Sequence, residues 1–178
     1  LQAASQQDLQ AAYKNDQLIY ANSASSADTE IADYSTAGMK LSQVIEREVL
    51  QPFFQALMPF ARHQQVHKIG RIALGPDQQH TLSMMPTLLA PQWRSIQSGQ
   101  LSARARPEGG VKMVKVTEQG KVSASDRALI SQFLEQWEHP MATCLSQKGG
   151  QAASSLDQIS KLRNIAVHPE SFLYRWQY

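Results

Sequence analysis

The residues best suited to chemistry lie in one short segment, 162–169, which reads Leu-Arg-Asn-Ile-Ala-Val-His-Pro. Arg163 presents a planar fork of donors that matches the oxygens of a phosphate. His168 belongs to the residue type that exchanges a proton most readily near neutral pH, and Asn164 both donates and accepts hydrogen bonds. These types suffice to cleave a phosphodiester that carries its own nucleophile, as RNA does in its 2′-hydroxyl, without a metal ion.

The segment follows a predicted amphipathic helix that begins near Ser154 or Ser155, with apolar residues at helical spacing at Leu156, Ile159, Leu162 and Ile165. On a continuous helix, Asn164 and His168 share a face, and Arg163 has the reach to join them. Pro169 disfavours the α conformation at His168, so we expect the helix to end there and a further helical segment to begin at the proline. The imidazole is therefore predicted to lie at a break between helices.

One copy of the segment supplies a single histidine, whereas general acid and general base catalysis normally require two groups. A two-fold dimer that places two copies of the segment together would supply both. We therefore expect a homodimer.

A first long helix is predicted from the apolar residues Ala37, Leu41, Val44, Ile45, Val49, Phe53, Ala56, Leu57 and Phe60. Asp33 or Ser35 is expected to cap it. Pro52 is expected to bend it or divide it in two, because proline removes one backbone donor and its ring clashes with the preceding turn.

The Arg163-Asn164-x-x-x-His168 segment, preceded by an amphipathic helix, resembles the signature of the HEPN superfamily. Tyr34-Ser35-x-Ala37, leading to Glu46, resembles the opening helix of those domains. The resemblance implies a mostly α HEPN-like helical bundle that dimerises through the motif face. It also implies a metal-independent endoribonuclease of a toxin, antiphage or RNA-processing system, with Arg163, Asn164 and His168 in a composite site and Glu46 as a supporting polar residue. No cofactor is implied.

The resemblance covers residues 31–178, and its last helix is expected to be cut short at Tyr178. Residues 1–30, rich in Gln, Ala and Ser, are predicted to be a polar lead-in, either a linker or a docked polar helix. An irregular middle insertion is expected from Val66 to Gly120, where Gly and Pro interrupt every pattern. Within it, Leu82–Leu89 predicts a short helix and Val111–Val116 a strand or an extended loop.

The remaining helices are expected after that insertion. Ser123 to Asp126 can cap a helix that continues through Trp137. A shorter helix is predicted from Met141 to Leu145, closed by Gly149-Gly150.

Composition narrows the class of protein. The 178 residues are 42% hydrophobic and carry a net charge of only +2, so the overall charge gives no indication of a large nucleic-acid-binding surface. A single cysteine, Cys144, excludes an intrachain disulfide and favours the cytoplasm. No apolar run reaches the length of a membrane span, so no membrane partner is expected.

Each residue of the segment also has a purely structural interpretation. Arg163 could complement the negative end of the helix dipole, and Asn164 could stop the helix. His168 could be a turn residue bonded to a carbonyl, and Glu46 a solvated charge. The rival function is accordingly an inactive HEPN-like module that binds nucleotides or proteins, or a regulatory part of a larger antiphage or stress-response protein, with an antitoxin or effector as its partner.

Other candidates are weaker. His63 and His67 have metal-ligand spacing but no third ligand, so the predicted site contains no metal. Cys144 is expected to be buried and inert. A loosely basic stretch could follow an RNA backbone if it faced the motif; it comprises Arg104, Arg106, Lys112, Lys115 and Lys121. The tryptophans at 93, 137 and 176 are expected to anchor a core or an interface.

Overall fold

The computed structural model describes residues 1–23, 32–96, 112–117, 122–168 and 173–174. In these ranges the chain is mostly helical, as predicted. The helices are α1 (Ala3–Asn22), α2 (Ser35–Ile45), α3 (Gln51–His63), α4 (Met85–Leu89), α5 (Ala124–Gln136), α6 (Ala142–Gln147) and α7 (Gly149–Ala166). A π-helical segment, Glu46–Leu50, separates α2 from α3, and a 3₁₀ turn, Leu82–Met84, precedes α4.

Short strands occupy the irregular middle of the chain. They are β1 (Lys68–Ile69), β2 (Ile72–Ala73), β3 (Gln92–Ile96) and β4 (Met113–Thr117). β1 pairs with β2 in antiparallel fashion, and β3 neighbours β4 in a second two-stranded sheet. The helix predicted over Leu82–Leu89 and the strand predicted near Val111–Val116 are both confirmed, with β4 as the strand.

The chain divides into two compact units. The first comprises Leu1–Glu48, Ile96–Met113 and Gln158–Tyr178, and the second comprises Val49–Ser95 and Val114–Asp157. The predicted boundary between residues 30 and 31 lies outside the described residues and stays a prediction.

In the first unit, α1 packs along α2. Of the two alternatives for the lead-in, the structure therefore contains the docked helix over residues 3–22. Ser5 and Ala12, two turns apart, are buried on its inner face. Asp8 forms an ion pair with Lys40 Nζ at 2.8 Å and a second with Arg47, so charge pairing helps to attach a helix that fully buries only Ser5 and Ala12.

The N-cap residue of α2 is Tyr34, and not Ser35 or Asp33 as predicted, but the first helical amide still bonds to Asp33. Its Oδ1 accepts from the Ser35 amide at 2.9 Å. The π-helical segment ends immediately before Gln51-Pro52, where proline removes one donor from the ladder. The hydrogen-bond pattern of the first long helix therefore changes just before Pro52, where a bend or a division is predicted, although the chain stays helical from Ser35 to His63.

An aromatic core fills the second unit. Phe53 is fully buried and meets the rings of Phe133 and Trp137 edge-on, at centroid distances of 5.4 and 5.7 Å. A capping box starts α5, since Ser123 Oγ accepts from the Asp126 amide at 3.0 Å and the Asp126 carboxylate accepts from the Ser123 amide. Trp93 is also buried. Trp137 is partly buried against Phe53 and Phe133, while Trp176 lies outside the described residues.

The prediction that Gly149-Gly150 closes a helix is wrong. These glycines form the first turn of α7, which begins five residues earlier than Ser154. A Cβ on Gly149 would lie 2.7 Å from the Leu89 carbonyl oxygen, so the glycine permits a close backbone contact within the second unit. The composition of a Gly-Gly pair does not distinguish this use from a helix stop.

Candidate active site

Arg163 and Asn164 lie in the last turn of α7, and both are exposed. The inner face of this part of the helix carries Ile159, Ser160 and Leu162, which are partly or fully buried. Lys161 Nζ donates to the Ile96 carbonyl at 2.8 Å and fixes the helix within the first unit. The helix therefore presents the two polar residues outward because its apolar positions face inward.

The helix ends where the proline predicts. Ala166 is its last residue, and the Val167 amide still donates to the Arg163 carbonyl at 3.1 Å. The His168 amide donates to the Ile165 carbonyl, also at 3.1 Å, which closes a tighter final turn. His168 is exposed. The helical segment expected from Pro169 onward lies outside the described residues.

Glu46 contacts Arg163. Its Oε1 lies 3.4 Å from Arg163 Nε, and the side chains are 27% and 44% exposed respectively. Glu46 is the first residue of the π-helical segment, and π-helical turns often occur at functional sites. The pairing engages the Nε side of the guanidinium, so the Nη amines are the donors suited to a phosphate.

The other polar side chains of the segment are not joined to this pair. Within the described part of the chain, no hydrogen bond links the side chains of Arg163, Asn164 and His168. The structure thus brings together Glu46 and Arg163 and places Asn164 and His168 on the exposed surface at the same helix end.

The chain beyond His168 returns to the start of α2. The Tyr34 amide donates to the Leu173 carbonyl at 2.7 Å, and the Leu173 amide donates to Ser35 Oγ at 3.0 Å. Leu173 is 1% exposed and packs over Gly38. Leu173 is thereby attached to the start of α2 within the first unit, a contact that sequence reasoning missed. The apolar run Phe172-Leu173-Tyr174 was its only signal.

The weaker candidates are the histidine pair, Cys144 and the basic stretch. Among the described residues, no three His, Cys, Asp or Glu side chains gather as a metal site, and His63 and His67 are both exposed. Cys144 is exposed, so the prediction that it is buried is wrong: α6 buries Ala142 and Leu145, which turns residue 144 outward. Lys112 and Lys115 are exposed, whereas Arg104, Arg106 and Lys121 lie outside the described residues.

Comparison of the chain with protein-family models, with curated proteins and with solved structures finds no match. In the described ranges, no helix is both long enough and apolar enough to cross a membrane.

Proposed function

We propose that this chain is a metal-independent endoribonuclease domain of the HEPN type that cleaves single-stranded RNA. The contact between Glu46 and Arg163 carries the proposal. The resemblance draws on two segments far apart in sequence, the opening helix with Glu46 and the Arg-Asn-x-x-x-His segment. These segments meet through an ion pair at a surface open to water, which supports a shared site better than two unrelated surface charges would.

Arg163 binds the scissile phosphate in this proposal. Its guanidinium offers a charge-assisted pair of hydrogen bonds and stabilises the negative charge that develops on the phosphorus oxygens. Glu46 acts as a positioning residue, because it holds Nε and so limits the directions in which the Nη amines point. Asn164 orients the phosphate or the imidazole through its amide.

His168 moves the proton. The 2′-oxygen attacks phosphorus and loses its proton to a base, the bond from phosphorus to the 5′-oxygen breaks, and that oxygen receives a proton from an acid. The products are a 2′,3′-cyclic phosphate and a 5′-hydroxyl end, so all atoms are accounted for without water or metal. Two imidazoles are needed for acid and base, and we assign the second to a second copy of the chain in a two-fold dimer.

Regulation and location follow from this activity. An enzyme that cuts single-stranded RNA needs a control partner, and we assign that role to a neighbouring domain or an antitoxin or effector protein. The setting is the cytoplasm, where the RNA substrate is found and where an unpaired thiol such as Cys144 remains reduced.

The test is cleavage of a labelled single-stranded RNA by the purified protein in excess chelator. We expect cutting by the unmodified protein, and a loss of at least a hundredfold in His168→Ala and Arg163→Ala. His63→Ala and Arg62→Ala are matched controls, since both residues are exposed near the end of another helix. Circular dichroism establishes that helix content is kept. No cutting by the unmodified dimer, or full cutting by His168→Ala, would favour the inactive binding module.

A further inference from the structure

An apolar cavity of about 270 Å³, partly open to solvent, lies within the first unit, between α1, α2 and α7. Each element contributes apolar side chains, among them Leu9, Leu41, Ile45, Ile159 and Leu162, and Leu173 closes one side. These first five residues are only partly buried although they face one another across the cavity. The first unit thus leaves apolar surface unfilled at a place where three elements could have packed together.

The walls offer an occupant almost no hydrogen bonds. Ser42 supplies the hydroxyl in the lining, and its Oγ already donates to the Gly38 carbonyl at 2.9 Å. Water that enters from the open side finds few hydrogen-bond partners on these walls, so an apolar molecule that displaces this water gains free energy. An occupant would therefore be held by apolar contact alone.

The volume of the cavity and its length along α2 limit the size of a molecule that could fill it. An apolar cavity of about 150 Å³ accommodates benzene, so about 270 Å³ corresponds to roughly ten carbon atoms. Along α2 the lining runs from Gly38 to Ile45, a distance of about 10 Å at the helical rise. A flexible hydrocarbon chain can follow this length of α2.

We infer that this cavity is a binding site for a linear hydrocarbon chain of about ten carbons, such as a medium-chain alkyl or acyl group. The site is separate from the proposed chemistry, although Ile45 and Leu162 in its wall directly precede Glu46 and Arg163. Its lack of polar groups gives it no preference for a particular head group, so that group remains in solvent.

A series of n-alkanols from butanol to tetradecanol tests the inference, with binding to the full chain measured by calorimetry below the aggregation limit of each alcohol. Affinity is expected to rise about fourfold for each added methylene, at one molecule per chain, and to level off near ten carbons. An absence of binding, or a steady rise through fourteen carbons, would overturn the site.

Two substitutions that fill the cavity show whether the alcohol binds there. Ser42→Leu places an isobutyl group in the cavity, and Leu41→Phe does so from the next position if the first variant fails to fold. Either should weaken decanol binding at least tenfold, whereas Ser155→Leu, the same change at an exposed position of α7, should leave it unchanged. Equal binding by the filled and unfilled proteins would contradict the assignment. Since no RNA is present, the result is independent of the proposed nuclease activity.

Discussion

The carboxylate of Glu46 lies 3.4 Å from the guanidinium of Arg163, which joins the turn after α2 to the last turn of α7. Both side chains retain access to water, and an exposed pair of this kind contributes only about 0–1 kcal/mol to stability. We assign the pair a different role in the proposed site, that of holding the guanidinium in one direction.

Glu46→Gln tests this role. Loss of the carboxylate should lower kcat/KM for RNA by roughly ten- to a hundredfold, because the guanidinium is no longer held, while the free energy of unfolding falls by less than about 1 kcal/mol. A double-mutant cycle supplies the control. In an Arg163→Ala background the same change should have no further effect on cleavage, and an undiminished effect there would exclude a positioning role.

Mixed dimers test whether the site is shared between copies. If acid and base come from different copies, an equal mixture of unmodified protein and His168→Ala, allowed to exchange subunits, leaves about a quarter of the dimers intact. The activity should fall to that fraction of an all-unmodified sample at the same total concentration. Mixing with His63→Ala should cause no loss. A fall only to one half would mean that each copy acts alone.

Two neighbouring glycines give a matched test of packing in the second unit. Gly149→Ala should destabilise the protein by about 1–3 kcal/mol, since its Cβ would meet the backbone carbonyl of Leu89, which cannot rotate away. Gly150→Ala meets its nearest neighbour, the Gln92 carbonyl oxygen, at an ordinary 3.6 Å and should range from neutral to about 1 kcal/mol stabilising. Denaturant titration measures both, and equal effects would contradict the close contact.

The carboxylate of Glu48 makes the attachment of α1 within the first unit depend on pH. The nearby Ser5 hydroxyl and then the Gln2 amide, which donates to Glu48 Oε1 at 2.8 Å, lower the pKa of Glu48 below its ordinary value. A carboxyl whose pKa is lower in the folded state stabilises the fold above the ordinary carboxyl range and loses that contribution as pH falls through the folded pKa.

Thermal unfolding measures this contribution. The gap in Tm between the unmodified protein and Glu48→Gln should be largest near pH 7 and shrink below about pH 4.5, where the unfolded carboxyl also becomes protonated. Glu135→Gln, at an exposed position of α5, is the control and should show no such narrowing. A gap that stays constant from pH 7 to pH 3 would rule out the linkage.

Much of the helical architecture could be predicted from the sequence, because local signals decided it. Ser123 and Asp126 form a capping box, and the hydrogen-bond pattern of the first long helix changes just before Pro52; each acts within a turn of its own position. The end of α7 beside His168 follows from Pro169 in the same way.

Long-range packing explains what the sequence did not reveal. Gly149 was expected to stop a helix, but its role depends on the Leu89 carbonyl, 60 residues away in sequence. The attachment of Leu173 to Tyr34 and Ser35, and the cavity beneath Gly38, arise from residues that no local pattern connects. The sequence could predict which residue types form the candidate site. Only the fold shows that Glu46 pairs with Arg163.

Cleavage of two matched oligonucleotides shows whether the 2′-hydroxyl of the RNA is the nucleophile. One is all-ribose, and the other carries a single 2′-deoxyribose immediately 5′ to the mapped cleavage site; both are incubated with the unmodified protein in excess chelator. We predict that the first is cut to a 2′,3′-cyclic phosphate and a 5′-hydroxyl end, and that the second is left intact at that position. Equal cutting of both oligonucleotides would contradict it.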